Sequence, residues 1–165
     1  MQDLVTARLR LRPLGLAEAR SVAAGVPGTG STWAPGYPSA DDIVAVGGWL
    51  HHVAAAGDPR PFGHYQLVRT EDGLVIGGAG FHGPPDDDGQ VEVGYVVISA
   101  ARRNGYATEA LRVLVEFAGG RGVASVRGSA DRSNEWSQRV MVAAGMDLVD
   151  EDASQRHYAI RLPPV

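Results

Sequence analysis

The sequence contains no cysteine and no lysine among its 165 residues. Without a thiol, the chain has no disulfide, no thiolate zinc site and no cysteine nucleophile. All 15 basic residues are arginine, and with the abundant alanine, glycine and valine this bias is typical of a high-GC bacterial coding sequence rather than of a function. An apolar run approaching the roughly 20 residues that cross a bilayer is also missing. We therefore expect a cytoplasmic protein with no membrane partner.

Positive charge is scarce as well. The formal net charge is -4, whereas a nucleic-acid-binding surface needs clustered cations to neutralise phosphates. We therefore expect no nucleic-acid partner and favour a cationic or neutral ligand. The length of 165 residues, 44% of them hydrophobic, predicts a single domain over 1–165 with a substantial core.

Hydrophobic periodicity predicts an α+β fold. Alternating patterns predict strands near 4–13, 61–69, 74–83, 90–98, 123–130 and 157–162. Helical spacing predicts helices near 15–25, 40–57, 106–120 and 134–145, with Ser39 and Asn134 as N-caps. Because a three-strand meander separates the two pairs of helices, we expect one mixed, mostly antiparallel sheet flanked by helices.

The segment RRNGYA, residues 102–107, lies between the predicted third strand of the meander and the helix that follows it. A strand, a short glycine loop and a helix can direct free backbone N–H groups at an anion. Arg102 and Arg103 add positive charge, and Gly105 allows close approach of the backbone. The alternative is a tight turn with solvated arginines, and the residues by themselves leave both interpretations open.

Three segments resemble motifs of the GNAT N-acetyltransferase superfamily. RRNGYA matches the superfamily's acyl-CoA pyrophosphate motif, Q/R-x-x-G-x-G/A, and NEWSQRVMVAAGM (134–146) is similar to its N-x-x-S-x-R-V helix. TARLRLRPL (6–14) is similar to the opening of the branch that contains the ribosomal-protein N-terminal acetyltransferases. The motifs occur in family order and, with the meander between them, cover nearly the whole chain.

The resemblance implies a GNAT fold, with the sheet splayed in its middle, and acetyl-CoA as the cofactor. It implies that pantetheine pairs with the strand end through the backbones of Val96, Val97 and Ile98. The pyrophosphate would be held by the loop and helix start, which are Arg102, Arg103, Asn104, Gly105, Tyr106, Ala107 and Thr108. Asn134 would contact the pantetheine arm; it is alternatively a plain N-cap, and the two roles are compatible.

Glu92 is the candidate general base. In an unbroken strand it shares a face with Gly94, Val96 and Ile98, and superfamily members with a glutamate base often carry it at this point. A carboxylate in a partly apolar cleft has a raised pKa and can accept a proton. The alternative is a structural carboxylate or a partner for the substrate ammonium, and the sequence leaves both open.

Ser137 is the candidate proton donor. Many superfamily members have a tyrosine one turn further along this helix, where this chain has Met141, which cannot donate. In the ribosomal-acetyltransferase-like branch, the resemblance implies that a serine at this position hydrogen-bonds the departing thiolate. Asn134 and Ser137 are three residues apart and so share a helix face. The alternative is a serine that bonds back to its own helix.

Trp33 and Tyr37 lie on the glycine- and proline-rich loop between the first two helices, and they are the candidate acceptor contacts. The alternative is that they pack against the sheet. The five histidines have no spacing typical of a metal site, so we expect no metal. His64 and His82 would line a cleft only if their strand faces point into it.

These features together predict an N-acetyltransferase that transfers acetyl directly from acetyl-CoA to a primary amine, on a small molecule or a peptide or protein N-terminus. The rival hypothesis is a non-catalytic acyl-CoA-binding regulatory module, which would keep RRNGYA but would not need Glu92 or Ser137. The resemblance also makes a homodimer an expectation, because dimers are common in the branch.

Overall fold

The computed structural model describes residues 2–165 and contains one eight-stranded sheet with four α-helices. The strands are β1 (Leu4–Val5), β2 (Leu9–Pro13), β3 (His64–Arg69), β4 (Val75–Phe81), β5 (Gln90–Val97), β6 (Ser125–Asp131), β7 (Asp147–Glu151) and β8 (Gln155–Arg161). The helices are α1 (Leu16–Ala24), α2 (Ala40–Ala56), α3 (Tyr106–Gly120) and α4 (Glu135–Ala143). The α+β prediction is confirmed.

The sheet opens in its middle. Its strand order is β1-β2-β3-β4-β5-β6-β8-β7, and all neighbouring pairs are antiparallel except β5 and β6. These two parallel strands pair only where Gln90–Glu92 lies beside Ser125–Arg127. The rest of β5 pairs with β4 alone, as far as Val97. The predicted splay therefore lies between β5 and β6, beyond Glu92.

Local sequence signals explain where the helices start. The Ser39 side chain accepts a hydrogen bond from the Asp42 N–H while the Asp42 carboxylate accepts one from the Ser39 N–H, which completes a capping box and confirms the predicted N-cap. The helix continues through Gly47 and Gly48 for 17 residues. In contrast, α3 starts after Gly105, whose φ of 79° lies in the left-handed region that favours glycine.

Helices lie on both faces of the sheet. Successive residues of a strand point to opposite faces. Val96 lines a cavity beside α2, whereas Val97 lines a groove beside α3 and α4. The predicted apolar face of α3 is buried in the core, through Ala107, Ala110, Leu111, Leu114, Val115 and Ala118. Burial of this stripe fixes the start of α3 against the open part of the sheet.

The edge strand β7 has no separate counterpart in the sequence prediction. All five residues of its sequence, DLVDE, are exposed, so it carries no buried alternation that would mark it as a strand. Its pairing with β8 defines it instead. Within residues 2–165, the structure contains no helix with the length and hydropathy required to cross a membrane.

Candidate active site

Backbone groups of β5 face the opening in the sheet. The Glu92 carbonyl accepts a bond from the His82 N–H, and the Ile98 N–H donates to the Ile76 carbonyl, so both residues direct their backbones to the β4 side. Since backbone direction alternates along a strand, the N–H and C=O groups of Val93, Tyr95 and Val97 point towards β6. Beyond Glu92, these backbone groups border a gap, because β5 and β6 no longer pair there.

The register of β5 determines which of the three residues predicted to pair with pantetheine face the gap. Of Val96, Val97 and Ile98, only Val97 directs its backbone into the gap, because the other two have the register that faces β4. Ile98 also has its carbonyl engaged by the Ala101 N–H. The backbone of Tyr95, which the sequence analysis did not propose, faces the gap in the same way as that of Val97.

The RRNGYA loop turns sharply into α3. Arg103 has φ 65° and Gly105 has φ 79°, both in the left-handed region. The Asn104 side chain donates to the carbonyls of Ala101 and Arg102 and so braces the turn. The first bond of the helix runs from the Glu109 N–H to the Gly105 carbonyl, which leaves the N–H groups of Tyr106, Ala107 and Thr108 directed outwards.

A groove beside this helix start has a positive lining. It has a volume of about 200 Å³ and runs between the RRNGYA turn and α4, with Arg102, Arg103 and Arg139 along it. The one acidic residue in the first turn of α3, Glu109, faces away: its carboxylate accepts bonds from the Thr6 hydroxyl and from Arg8, whose Nε lies 2.8 Å from Oε1. The groove therefore combines free N–H groups with cations, as an anion requires.

Arg102 and Trp136 lie across the gap. Arg102 Nε donates to the Val97 carbonyl at 3.0 Å, and its guanidinium lies 4.8 Å from the centre of the Trp136 ring. The indole also contacts the Tyr95 ring edge to face, with ring centroids 5.9 Å apart. A ligand strand paired with Val97 would take the place of the Arg102 side chain and free its charge.

Asn134 and Ser137 meet Tyr95 at the opposite edge of the gap. Asn134 Oδ1 accepts from the Ser137 N–H at 3.1 Å, which makes it the N-cap of α4. Ser137 is buried, and its hydroxyl lies 2.8 Å from the Tyr95 hydroxyl, so it is directed at β5 rather than at its own helix. Burial raises the pKa of Tyr95 to about 12, so its hydroxyl stays protonated at neutral pH.

Glu92 lies in the same cleft as Ser137. The cleft between β5, β6 and α4 is lined by both, together with Tyr95 and Asn134. Glu92 Oε1 lies 3.5 Å from His82 Nδ1. Hydrogen bonding to this imidazole, the largest effect, holds the pKa of Glu92 below its ordinary value despite partial burial. The expected raised pKa is therefore wrong, and Glu92 is a carboxylate ion at neutral pH.

Trp33 and Tyr37 pack against the sheet and α1, which is the alternative that the sequence left open. Trp33 Nε1 donates to Glu18 at 3.0 Å, and the buried Tyr37 hydroxyl accepts from Gln66 Nε2 at 3.1 Å. The two rings meet edge to face with centroids 5.5 Å apart. Neither residue lines the cleft that holds Glu92 and Ser137.

A cavity on the α2 face adjoins the cleft. It has a volume of about 440 Å³, and three of its lining residues are His52, His64 and His82. Burial, followed by the charge of His82, lowers the pKa of His64 to about 4, so this imidazole is neutral at pH 7. Within residues 2–165, no group of three or more histidine or acidic residues has the arrangement of a metal site.

Sequence reasoning missed Tyr95, and it placed His64 and His82 at a cleft only on the condition that they point into it, which the cavity lining fulfils. The available signal was glycine: a Cβ at Gly78 would lie 2.3 Å from His64 Nε2, and one at Gly94 would lie 2.8 Å from His82 Nε2. The two imidazoles therefore sit directly over glycine backbone. The glycines of VIGGAGF and VEVGY mark the places where this face of the sheet accommodates the rings.

The residues present fit an acyl-CoA. The gap exposes strand backbone to an extended arm, and the groove beside it offers three arginines, free helix N–H groups and the small side chain of Ala107 to a pyrophosphate. The RRNGYA turn lies beside the two parallel strands, β5 and β6, that separate in the middle of the sheet. This arrangement is typical of acyl-CoA-binding proteins.

Comparison with known proteins identifies the family. The model of the acetyltransferase (GNAT) domain matches residues 8–147, and the chain belongs to this family. A relative, the uncharacterized N-acetyltransferase YjdG of Bacillus subtilis (strain 168), is 26% identical over 123 residues, which are 74% of this chain and 73% of that protein.

Two solved structures show the same fold. RimL, a ribosomal alpha-N-protein acetyltransferase in complex with coenzyme A, superposes with a TM-score of 0.70 at 15% identity, over 98% of each chain. The ribosomal-protein-S5-alanine acetyltransferase of Vibrio fischeri gives 0.69 at 14% identity, over 98% of this chain and 97% of its own. The protein is an N-acetyltransferase of the GNAT family whose cofactor is acetyl-CoA, as the sequence motifs predicted.

Proposed function

We propose that this enzyme transfers acetyl directly to a primary amine, on a small molecule or a peptide N-terminus. One observation carries the proposal: an ionised carboxylate with an imidazole, and a paired serine and tyrosine, line one cleft at the opening of the sheet. Amine acylation needs a group that receives the proton of the ammonium and a group that supplies a proton. The two pairs are suited to these two tasks.

The cofactor would be held by the gap and the groove described above. When bound, acetyl-CoA supplies an acetyl group activated as a thioester. The backbones of Tyr95 and Val97 are available to its arm, and Arg102, Arg103 and the N–H groups at the start of α3 to its phosphates. Asn134 retains its Nδ2 donors for the same cleft while its Oδ1 caps α4.

Glu92 acts as an anchor for the ammonium and as the partner of His82, rather than as the final proton acceptor. A carboxylate whose pKa lies below its ordinary value binds a cation well and accepts a proton poorly. Its Oε1 faces His82 Nδ1, which favours a proton on that nitrogen. His82 Nε2 then has the lone pair that takes the proton from the amine.

The Ser137–Tyr95 pair supplies the proton on the other side of the cleft. Tyr95 donates its single proton to the Ser137 carbonyl, 2.8 Å away, so the short contact between the two hydroxyls places the Ser137 proton between their oxygens. Ser137 Oγ is thus a donor that can turn from Tyr95 towards a developing negative charge. The resemblance to the RimL-like branch supports this role for Ser137.

Two observations support direct transfer and a broad first list of acceptors. The chain has no cysteine, and Ser137 is hydrogen-bonded to a tyrosine and not to a base that could activate it as a nucleophile. The other serine of the cleft, Ser129, lies 2.7 Å from His157 Nδ1, so the absence of acetyl on the protein is the result that excludes it as a nucleophile. RimL and the Vibrio fischeri enzyme are named for ribosomal-protein acceptors, which supports the inclusion of peptide N-termini beside small amines.

Thiol release from acetyl-CoA against a panel of small amines and N-terminal peptides tests the proposal. We expect release with at least one amine, a mass gain of one acetyl group on its nitrogen, and no acetyl on the protein after rapid quenching. Glu92→Gln removes the charge that would hold the ammonium and should lower thiol release. Glu92→Asp, which keeps the charge, is its matched control. An acetylated protein intermediate, or acetyl on a hydroxyl acceptor, would contradict direct N-transfer.

The homodimer stays a prediction from the family resemblance, and the cytoplasmic location stays a prediction from the lack of a long apolar run in the sequence. Light scattering at micromolar concentration tests the first, and fractionation of the source cells tests the second. A monomer at all concentrations, or recovery outside the cytoplasm, would overturn the respective prediction.

A further inference from the structure

The cavity on the α2 face has an apolar wall on the helix side. One stripe of α2, made by Val44, Ala45, Gly48, Trp49 and His52, forms this wall. The facing wall comes from β4, β5 and their flanks, through His64, Gly80, Phe81, His82, Gly83, Gly94, Tyr95 and Val96. Its volume of about 440 Å³ lies within the usual range of small-molecule sites.

The lining of this cavity selects against charge. It includes no arginine, aspartate or glutamate, and its polar side-chain groups are imidazoles, the Tyr95 phenol and the indole N–H of Trp49, which has no hydrogen-bond partner in the described structure. The half-buried His64 is neutral at pH 7 because desolvation lowers its pKa to about 4. A charged ligand group would lose its hydration here without an opposite charge to replace it, whereas an apolar group would gain from burial.

The cavity continues into the proposed catalytic cleft. His82, Gly94, Tyr95 and Val96 line both spaces, and Glu92 lies at the cleft side of this boundary. A ligand with its ammonium at Glu92 would therefore direct the rest of its structure into the cavity. The shape of the site links a cationic nitrogen at one end to an apolar group at the other.

Glycines make the space. A Cβ at Gly80 would lie 2.4 Å from the Gly63 carbonyl oxygen, so this wall position admits no larger residue. A Cβ at Gly94 would lie 2.8 Å from His82 Nε2 and would displace that imidazole. On the α2 wall the situation differs, because a Cβ at Gly48 meets no atom within 4 Å. A side chain added at this lining position has open space around it.

We propose that this cavity receives an uncharged apolar substituent, of the size of an aromatic ring, on the carbon chain of the acceptor amine. The inference rests on the proposed N-acetylation and names its acceptor class: primary amines with such a group near the nitrogen, and not polyamines or polyhydroxylated amines. The ring lies against Trp49, Phe81 and the neutral imidazole of His64, while the nitrogen lies at Glu92 and His82.

The test compares kcat/KM for phenylalaninamide and glycinamide, which share the amine and differ in the benzyl group. We expect wild-type enzyme to prefer phenylalaninamide at least about tenfold, the scale of discrimination that apolar pockets achieve. Gly48→Leu should lower this preference about tenfold. Gly47→Leu is the matched control, because a Cβ at Gly47 also meets no atom within 4 Å but Gly47 does not line the cavity. Equal use of the two amides by the wild type, or an equal loss of preference in both variants, overturns the proposal.

Calorimetric titration of phenylalaninamide into the protein with CoA separates this inference from the proposed function. If neither amide releases thiol, the proposed N-acetylation of such amines fails, and the binding of phenylalaninamide alone tests the proposed role of the cavity. Saturable binding that Gly48→Leu weakens and Gly47→Leu retains supports that role. The absence of binding overturns it. Peptides that begin with phenylalanine or glycine distinguish the source. A preference limited to the amides identifies a small-molecule acceptor, and the same preference in peptides identifies an N-terminal residue.

Discussion

Replacement of Tyr95 by phenylalanine tests the hydroxyl pair at the opening of the sheet. The Tyr95 hydroxyl lies 2.8 Å from both the Ser137 carbonyl and the Ser137 Oγ. Tyr95→Phe keeps the ring and its contact with Trp136 but leaves the buried Ser137 hydroxyl without this partner. An unsatisfied buried polar group costs about 1–3 kcal/mol, so we expect a free energy of unfolding lower by about 2 kcal/mol.

Thermal unfolding of the cofactor-free protein measures this loss. For a chain of this size, 1 kcal/mol corresponds to about 2–4 °C in Tm, so Tyr95→Phe should lower Tm by roughly 4–8 °C. Ser137→Ala and the double variant complete a double-mutant cycle. Because the two residues share one bond, Tyr95→Phe should cost clearly less in the Ser137→Ala background.

Two results would refute this reasoning. A Tm change below about 1 °C for Tyr95→Phe would mean that the hydroxyl is not buried in the pair, since solvent would then replace Ser137. Strictly additive effects in the cycle would mean that the two side chains act independently. Either outcome would also remove the basis for a proton held between them.

The remaining predictions concern catalysis and pH. Glu92→Gln should lower kcat/KM for the amine at least about tenfold and should retain the affinity for acetyl-CoA, which calorimetry measures as the control. Unchanged turnover would remove Glu92 from the catalytic site. Ser137→Ala should lower kcat more than it weakens acetyl-CoA binding, whereas a purely binding effect would make Ser137 a cofactor contact. The pKa of His64 is lowered from 6.5 to about 4 in the folded state, so only the unfolded chain gains a proton at this residue as pH falls from 6.5 to 4. The free energy of unfolding, measured with urea, should therefore fall by about 1–3 kcal/mol over this range. His64→Gln should flatten that part of the profile of stability against pH, and an unchanged slope would contradict a neutral His64 in the folded state.

Patterns that depend on neighbours in the chain were predictable from the sequence. The α3 stripe from Ala107 to Ala118 follows helical spacing, and all six expected positions are buried. Ser39 and Asn134 have the side chains and positions of N-caps, and both cap their helices. These signals are local, so they survive whatever the rest of the chain does.

Features that depend on distant parts of the chain were not predictable to the same degree. Tyr95 and Ser137 are 42 residues apart and meet only because β5 and β6 diverge. The lowered pKa of Glu92 requires His82, which directly follows the neighbouring strand β4. A carboxylate considered by itself suggested a raised pKa. Which of Val96, Val97 and Ile98 faces the gap depends on the register of β5 against β4, which alternation does not fix.

Trp33 and Tyr37 show the limit of arguments from residue type. Two aromatics on a glycine-rich loop suggested a binding surface. Their polar atoms bond Glu18 and Gln66 instead, and their rings join the core that holds α1 against the sheet. A large aromatic side chain more often contributes burial than recognition, and only its partners distinguish the two.

The most direct test of the account is titration of acetyl-CoA into the wild-type protein and into Gly105→Val. Gly105 has φ 79°, which a β-branched residue adopts only at a cost, so the valine should distort the turn that directs the N–H groups of α3. We predict saturable one-to-one binding by the wild type and its loss in a variant whose circular dichroism remains that of a folded protein. Undiminished binding by Gly105→Val, or no binding by the wild type, would contradict the placement of the cofactor at the opening of the sheet.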